Sequence, residues 1–189
     1  MKILYITYDG ISDAIGQSQV VPYINKLAFC GIGFTVLSFE KKTNFNPIVK
    51  TLNWRVSWKS LRYSKNPPVI SSCYDIIKGL IAGISVLSKE KISVIHARGY
   101  VSAAIGLLLK SIFKIKYIFD MRGMWAEEKV DAGVWKKYGL LFKSVKYFEK
   151  LFFRNADTII VLTNNAKRII SQNSYIINRK IEVIPTCTD

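Results

Sequence analysis

His96 is the only histidine among 189 residues, and the three cysteines, Cys30, Cys73 and Cys187, stand far apart. Such a set fits neither a histidine-rich metal site nor a disulfide framework, so no metal site is expected. The cysteines suit a reducing compartment, where they serve as small apolar fillers. Acidic residues are also scarce: 13 Asp and Glu stand against 28 Lys and Arg, a formal net charge of +15. That imbalance favours anionic partners: nucleic acid, a phospholipid surface or phosphorylated small molecules. Long hydrophobic runs are missing as well. The most apolar stretches, residues 76–87 and 101–113, are interrupted by Lys78 and Lys110 and fall short of a bilayer span. Met1 and Lys2 lead straight into a strand-like segment, so no cleavable signal peptide is expected before the fold.

Apolar residues make up 50% of the chain and aromatics 13%, which excludes disorder and suffices for the core of one ordinary domain. Short β-branched or aromatic runs alternate with helix-length segments. Strands are predicted over residues 2–8, 34–39, 56–61, 93–97, 116–121, 158–162 and 181–184, and helices over 17–29, 69–89, 100–113, 135–153 and 164–171. A polar, irregular connection is expected over 40–53. This alternation predicts an α/β fold, a Rossmann-like three-layer sandwich with a mainly parallel sheet of about seven strands.

In open sheets of this kind ligands collect beyond the carboxyl ends of the strands. Four segments fall there: "YDGISDAIGQSQ", "HARGY", "FDMRGMWAEEKVDAG" and "LTNN". In the first, Gly16 stands at the entrance of a helix, where free N–H groups and the helix dipole favour a phosphate or carboxylate. An ordinary turn into a helix explains two glycines six residues apart equally well, and Asp9 and Asp13 suit hydroxyl recognition better than an anion. Asp120 closes the fifth strand, with Arg122, Glu127 and Glu128 just beyond. A carboxylate there can accept a hydrogen bond or proton from a sugar hydroxyl, and the guanidinium can fork onto a phosphate. The alternative is an Asp–Arg pair that only ties the loop down. Arg98 follows the fourth strand and is expected to point into the same crevice. His96, inside that strand, reads as a core histidine first. Thr163 and Asn164 read as a helix cap.

The segment "WKKYGLLFKSVKYFEKLFFR" is amphipathic at helical spacing. Lys136, Lys143, Lys146, Lys150 and Arg154 share one narrow arc, with Tyr138, Leu141, Phe142, Val145, Phe148 and Phe152 opposite. The apolar side is expected on the sheet, and the basic side is expected to rest on anionic lipid headgroups. Because its aromatics lie opposite its lysines, they cannot stack bases beside a phosphate-binding ribbon, so no specific nucleic-acid partner is expected.

Taken together, "LYITYDGISDAIGQSQVVPYI", "HARGY", "DMRGMWAEE", "ADTIIVLTNNAK" and "IEVIPTCTD" resemble the amino-terminal domain of a retaining glycosyltransferase of the GT-B class, family 4. The resemblance covers essentially the whole chain. It implies two Rossmann-like domains facing across a cleft, the first binding the acceptor and the second a nucleotide-sugar donor, with no metal ion or other cofactor. By this resemblance the loop at Gly16 approaches the donor diphosphate, while Asp9, Asp13 and Gln17 border the acceptor pocket. Arg98, Arg122 and Glu127 line the same cleft. Asp120 takes a strand-end position where many relatives place a histidine, which leaves it two roles: orienting the acceptor hydroxyl or taking its proton.

Residues 1–189 then form a single domain, the acceptor-binding half, and the donor domain is expected outside it, on a separate chain or further along the same one. The expected setting is surface-glycan assembly on a saccharide or lipid-linked acceptor, at the cytoplasmic face of the plasma membrane. A non-catalytic membrane scaffold of the same fold is the alternative.

Overall fold

In a computed structural model of the protein, described over residues 1–41, 51–176 and 178–186, seven strands form one parallel sheet. They are β1 (Lys2–Thr7), β2 (Gly33–Glu40), β3 (Val56–Arg62), β4 (Val94–Arg98), β5 (Lys116–Asp120), β6 (Thr158–Val161) and β7 (Lys180–Val183). Their spatial order is β3-β2-β1-β4-β5-β6-β7. The chain steps outward from β1 to β3 and then returns to the far side of β1, so the winding reverses between β1 and β4. Crevices for ligands open at such a reversal. Of the connection expected over 40–53, residues 42–50 lie outside the described residues.

Among the described residues seven helices cover the sheet: α1 (Ala14–Gln19), α2 (Val21–Phe29), α3 (Pro68–Lys89), α4 (Tyr100–Phe113), α5 (Trp125–Asp131), α6 (Leu140–Asn155) and α7 (Asn164–Ser171), followed by a 3-10 turn at Ser174–Ile176. Strand alternation divides the core in two. Ile3, Tyr5, Phe34 and Val36 meet Val21, Ile24 and Ala28 of α2. Leu4, Ile6, Leu37, Phe39, Ala97 and Phe119 meet Val86, Ile105, Leu109, Phe152 and Phe153 of α3, α4 and α6. Gly79 and Gly83 let α3 close onto α4: a Cβ at either would come within 2.5 Å of Ile105 or Leu109. The rings of Phe152 and Phe153 each lie 5.5 Å from that of Phe119.

Four expectations need correction. The first helix is two, because Pro22 starts a new helix at its first turn and has no N–H to continue the old one. A short helix, α5, occupies part of the loop after β5; its first turn holds Glu127 and Glu128, which suit a helix N-terminus. Helix α3 spans 22 residues and is long and apolar enough, by length and composition, to cross a membrane. Residues 76–87 alone conceal this, because the helix begins at Pro68 and takes in Val69 and Ile70.

The last correction concerns the basic segment. Helix α6 begins at Leu140, not Trp135. Tyr138 adopts a left-handed φ of 64° and Gly139 donates its N–H back to the carbonyl of Lys136, so residues 135–139 form a turn. Lys136 therefore lies off the helix. The buried face of α6 also differs: Glu149, Phe152 and Phe153 are buried, while Leu141 and Phe148, expected on the sheet, are exposed.

Candidate functional site

The loop after β1 is built around a buried carboxylate. Glu40, the last residue of β2, accepts hydrogen bonds from the backbone N–H of Ile11 at 2.9 Å and of Ser12 at 3.2 Å, and from the hydroxyls of Ser12 and Ser38. The two glycines make this curl possible. A Cβ on Gly10 would sit 2.6 Å from Glu40 Oε2, and one on Gly16 would sit 2.3 Å from the carbonyl oxygen of Gly10 and 2.4 Å from Ile11 Cα. Gly16 thus turns its bare side into its own loop. Asp13 pairs with Lys41 at 2.9 Å, and Gln17 donates to the carbonyl of Ser12 at 3.0 Å. Both side chains are engaged in holding the loop.

Beyond it, register brings side chains from three strands together. Arg98 stands beside Thr7 on one side and Asp120 on the other, so all three share one face of the sheet. Asp120 and Arg98 are buried. His96 Nε2 lies 3.3 Å from Asp120 Oδ2, and its ring is 4.6 Å from that of Tyr5. Arg122 Nη1 lies 3.5 Å from Asp120 Oδ1. Gln19 accepts from Arg98 Nη2 at 2.8 Å and from Arg122 Nη2 at 3.2 Å, and Arg122 Nη2 also reaches Thr186 Oγ1 at 2.6 Å. Asp9, half exposed, faces Arg98 Nε at 3.8 Å.

Burial alone would raise the pKa of Asp120, but the hydrogen bond and charge of His96, with Arg122 and Arg98, outweigh it and hold the carboxyl below its ordinary value. Burial, reinforced by Asp120, pushes the Tyr5 phenol up. The cluster therefore presents a permanent carboxylate flanked by two guanidiniums. Arg98 Nε and Asp120 Oδ1 are buried and make no hydrogen bond to another residue.

Asp9, Arg98, Asp120 and Arg122 thus converge, whereas Asp13 is taken up by Lys41 after β2 and Gln17 by the carbonyl of Ser12. Glu127 turns to Lys146 at 2.8 Å. Lys146 also bonds Glu149, which accepts from the Tyr100 hydroxyl at 2.5 Å. Lys146 consequently points inward, away from the outer face expected for it. Lys143, Lys150 and Arg154 are exposed, Lys150 over the ring of Tyr175 at 5.3 Å. Sequence reading missed Gln19, Tyr5, Thr186 and Glu40. Only Glu40 carries a signal, as a lone acid closing the apolar run "FTVLSF" in a basic chain. Among the described residues no three of His, Cys, Asp and Glu gather where they could hold a metal ion.

Residues 34–189 match the family described as Glycosyltransferase Family 4. The chain belongs to that family. Solved structures share its fold at low identity. Apo UGT2 of Phytolacca americana aligns with a TM-score of 0.68 at 9% identity, over 100% of this chain and 52% of that one. Sucrose-phosphate synthase from Thermosynechococcus elongatus gives 0.67 at 13%, over 97% and 47%. Arabidopsis thaliana UGT89C1 complexed with UDP-L-rhamnose gives 0.60 at 13%, over 97% and 48%. No curated protein sequence matches. The family 4 chain therefore spans about half the length of these structures, and its parallel sheet and covering helices have the architecture of the amino-terminal half of a GT-B glycosyltransferase.

Proposed function

We propose that this family 4 chain is the acceptor-binding half of a glycosyltransferase that moves a sugar from a nucleotide-sugar donor to a saccharide or lipid-linked acceptor in surface-glycan assembly. The observation that carries the reading is the convergence of Asp120, Arg98, Arg122 and Asp9 at the carboxyl edge of β1, β4 and β5, beside the winding reversal. Asp120 remains a carboxylate because its pKa is lowered. Such a group accepts a hydrogen bond from an acceptor hydroxyl well but stores a proton poorly. Orientation of the hydroxyl is therefore its role, and Arg122, the more exposed arginine, offers donors to the acceptor's remaining oxygens.

Donor binding belongs to a second Rossmann-like domain, and transfer without a metal ion is part of the proposal. The loop at Gly16 approaches the donor diphosphate through its backbone, as Gly16 itself is buried. With one wall of the cleft alone, donor and acceptor cannot be held in reacting geometry, so the isolated chain should be inactive. The setting is the cytoplasmic face of the plasma membrane, with Lys143, Lys150 and Arg154 of α6 toward anionic headgroups.

Calorimetric titration of the chain with a panel of oligosaccharides and polyprenyl-phosphate-linked saccharides tests acceptor binding. At least one should bind, and Asp120→Asn and Arg122→Ala should each weaken it about tenfold. Mixing the chain with a family 4 donor domain and a panel of nucleotide sugars should then restore transfer. Absence of both binding and transfer across the panels would overturn the reading. The exposed face of α6 also fits a scaffold that binds vesicles and no saccharide, an outcome the same titrations distinguish.

A further inference from the structure

Helix α3 has two apolar faces. One packs on the sheet and on α4 through Gly79, Gly83 and Val86. The other carries Val69, Ile70, Tyr74, Ile77 and Ile81, each between 55% and 67% exposed, together with exposed Cys73. At about 100° per residue these six positions fall in an arc of about 140° with no charged residue in it. A helix that is apolar on all sides needs a second apolar neighbour, and no described element covers this one.

The stripe does not stand alone. Helix α3 lies against α4, and α4 against α6. Leu108 and Ile112 are exposed on α4, and Leu140, Leu141, Tyr147 and Phe148 on α6. An outer surface of three adjacent helices thus carries large apolar side chains. Within those helices the acidic residues are Asp75 and Glu149 alone, and both are buried. Lys143, Lys150 and Arg154 are exposed beside the apolar groups. Three apolar helices with positive charge and no exposed carboxylate of their own complement an anionic bilayer, whose headgroups meet the lysines while the aliphatic chains reach the acyl boundary. A second copy would instead bring two chains of formal charge +15 together, with no exposed acid on these three helices to offset the repulsion.

We infer that the outer face of α3, α4 and α6 docks on an anionic lipid bilayer, with the stripe Val69–Ile70–Tyr74–Ile77–Ile81 of α3 as its inserting element. This rests on the reading of the chain as a membrane-surface glycosyltransferase half, and moves the main contact from the basic helix α6 to α3. The orientation has a consequence for the acceptor. Helix α3 begins at the carboxyl edge of the sheet, and its Asp75 accepts from the hydroxyl of Tyr8 at 2.9 Å, next to Asp9 of the cleft. A docked α3 holds that edge near the lipid surface, where a head group on a lipid tail can enter from the bilayer.

The test uses the full chain with Cys30 and Cys187 replaced by Ser and Cys73 carrying a polarity-sensitive fluorophore. Vesicles of phosphatidylcholine and phosphatidylglycerol in equal parts should blue-shift the probe and bring the chain up in flotation; phosphatidylcholine alone should do so far less. The unlabelled pair Ile77→Lys with Ile81→Lys should bind the mixed vesicles at least about tenfold more weakly with an unchanged circular dichroism spectrum, since both side chains already face solvent. Lys143→Glu with Lys150→Glu should weaken binding and steepen its response to salt less than the parent. Vesicle binding that survives the isoleucine pair, with a probe that stays unshifted, overturns docking by α3 while leaving a membrane role for α6. Failure of the parent to float removes the bilayer from both readings, and acceptor titration still decides the glycosyltransferase half separately. Self-association in sedimentation that the isoleucine pair abolishes, without flotation, would make the occupant a second copy and overturn the inference.

Discussion

Arg98 and Arg122 donate to one and the same atom, Oε1 of Gln19, at 2.8 and 3.2 Å. Two cations brought this close need a shared acceptor, and a neutral amide supplies it where Asp9 and Asp120 complete the charge balance. Replacing Gln19 by Leu leaves both guanidiniums short of an acceptor, Arg98 in a buried site. We expect Gln19→Leu to cost about 1–3 kcal/mol in urea unfolding. Gln19→Glu keeps the acceptor and adds a negative charge, so it should retain or raise the parent stability. Equal stability of all three proteins would show that Gln19 is not what holds the pair.

Gly16 supplies a second prediction. A Cβ there meets backbone, the Gly10 carbonyl at 2.3 Å, which can move only if the whole loop moves. Gly123 is the control: its Cβ would meet Oε1 of Glu128 at 2.1 Å, the far end of a flexible and exposed side chain. Gly16→Ala should cost about 1–3 kcal/mol and Gly123→Ala much less, measured by thermal or urea melts. A mild effect at Gly16 would mean that its bare side faces a ligand, not its own loop.

These two residues mark what could be read without coordinates. The strands were legible because β1, β2, β5 and β6 are near-continuous apolar runs, and the strand-end rule picked out Arg98 and Asp120 because parallel register sets them abreast. Gly16 stood out as special, but the close contact that demands glycine is with Gly10 and Ile11, which spacing alone does not reveal. Gln19 carried no signal: it is one polar residue among several in "GQSQ", and its two partners are far along the chain. Helical periodicity ran unbroken through "WKKYG" because side-chain pattern does not register the left-handed backbone at Tyr138. Lys146 fell on the basic arc, yet two carboxylates from α5 and α6 turn it inward.

The lowered pKa of Asp120 fixes a pH dependence. A carboxyl whose folded pKa lies below its unfolded value, about 3.9, contributes stability that is fully present above that value and is lost as pH falls through the folded one. Asp75 and Asp157 are lowered too, so the contribution of Asp120 must be read as a difference. The stability gap between the parent and Asp120→Asn should shrink as pH drops below about 4. A gap that widens as pH falls below about 4 would place the folded pKa above the unfolded one and remove the picture of a carboxylate held between His96, Arg98 and Arg122.

Lys146 bridges Glu127 and Glu149, and Glu149 is buried with the Tyr100 hydroxyl on its other oxygen. Burial, with Glu149 beside it, pushes the Tyr100 phenol up, so this hydroxyl stays a donor and cannot relieve the charge. Lys146→Met leaves one buried carboxylate without its cation. A fully buried pair broken in this way costs about 3–5 kcal/mol; Glu127 and Lys146 are a third or more exposed, so about 2 kcal/mol is expected here. Adding Glu149→Gln to Lys146→Met should recover most of the loss, because the amide still accepts from Tyr100 and no charge is left buried. Should Lys146→Met instead unfold like the parent in urea while lowering vesicle binding as Lys143→Glu does, Lys146 would belong to the outer basic face, and the link it forms between α5 and α6 would carry no weight.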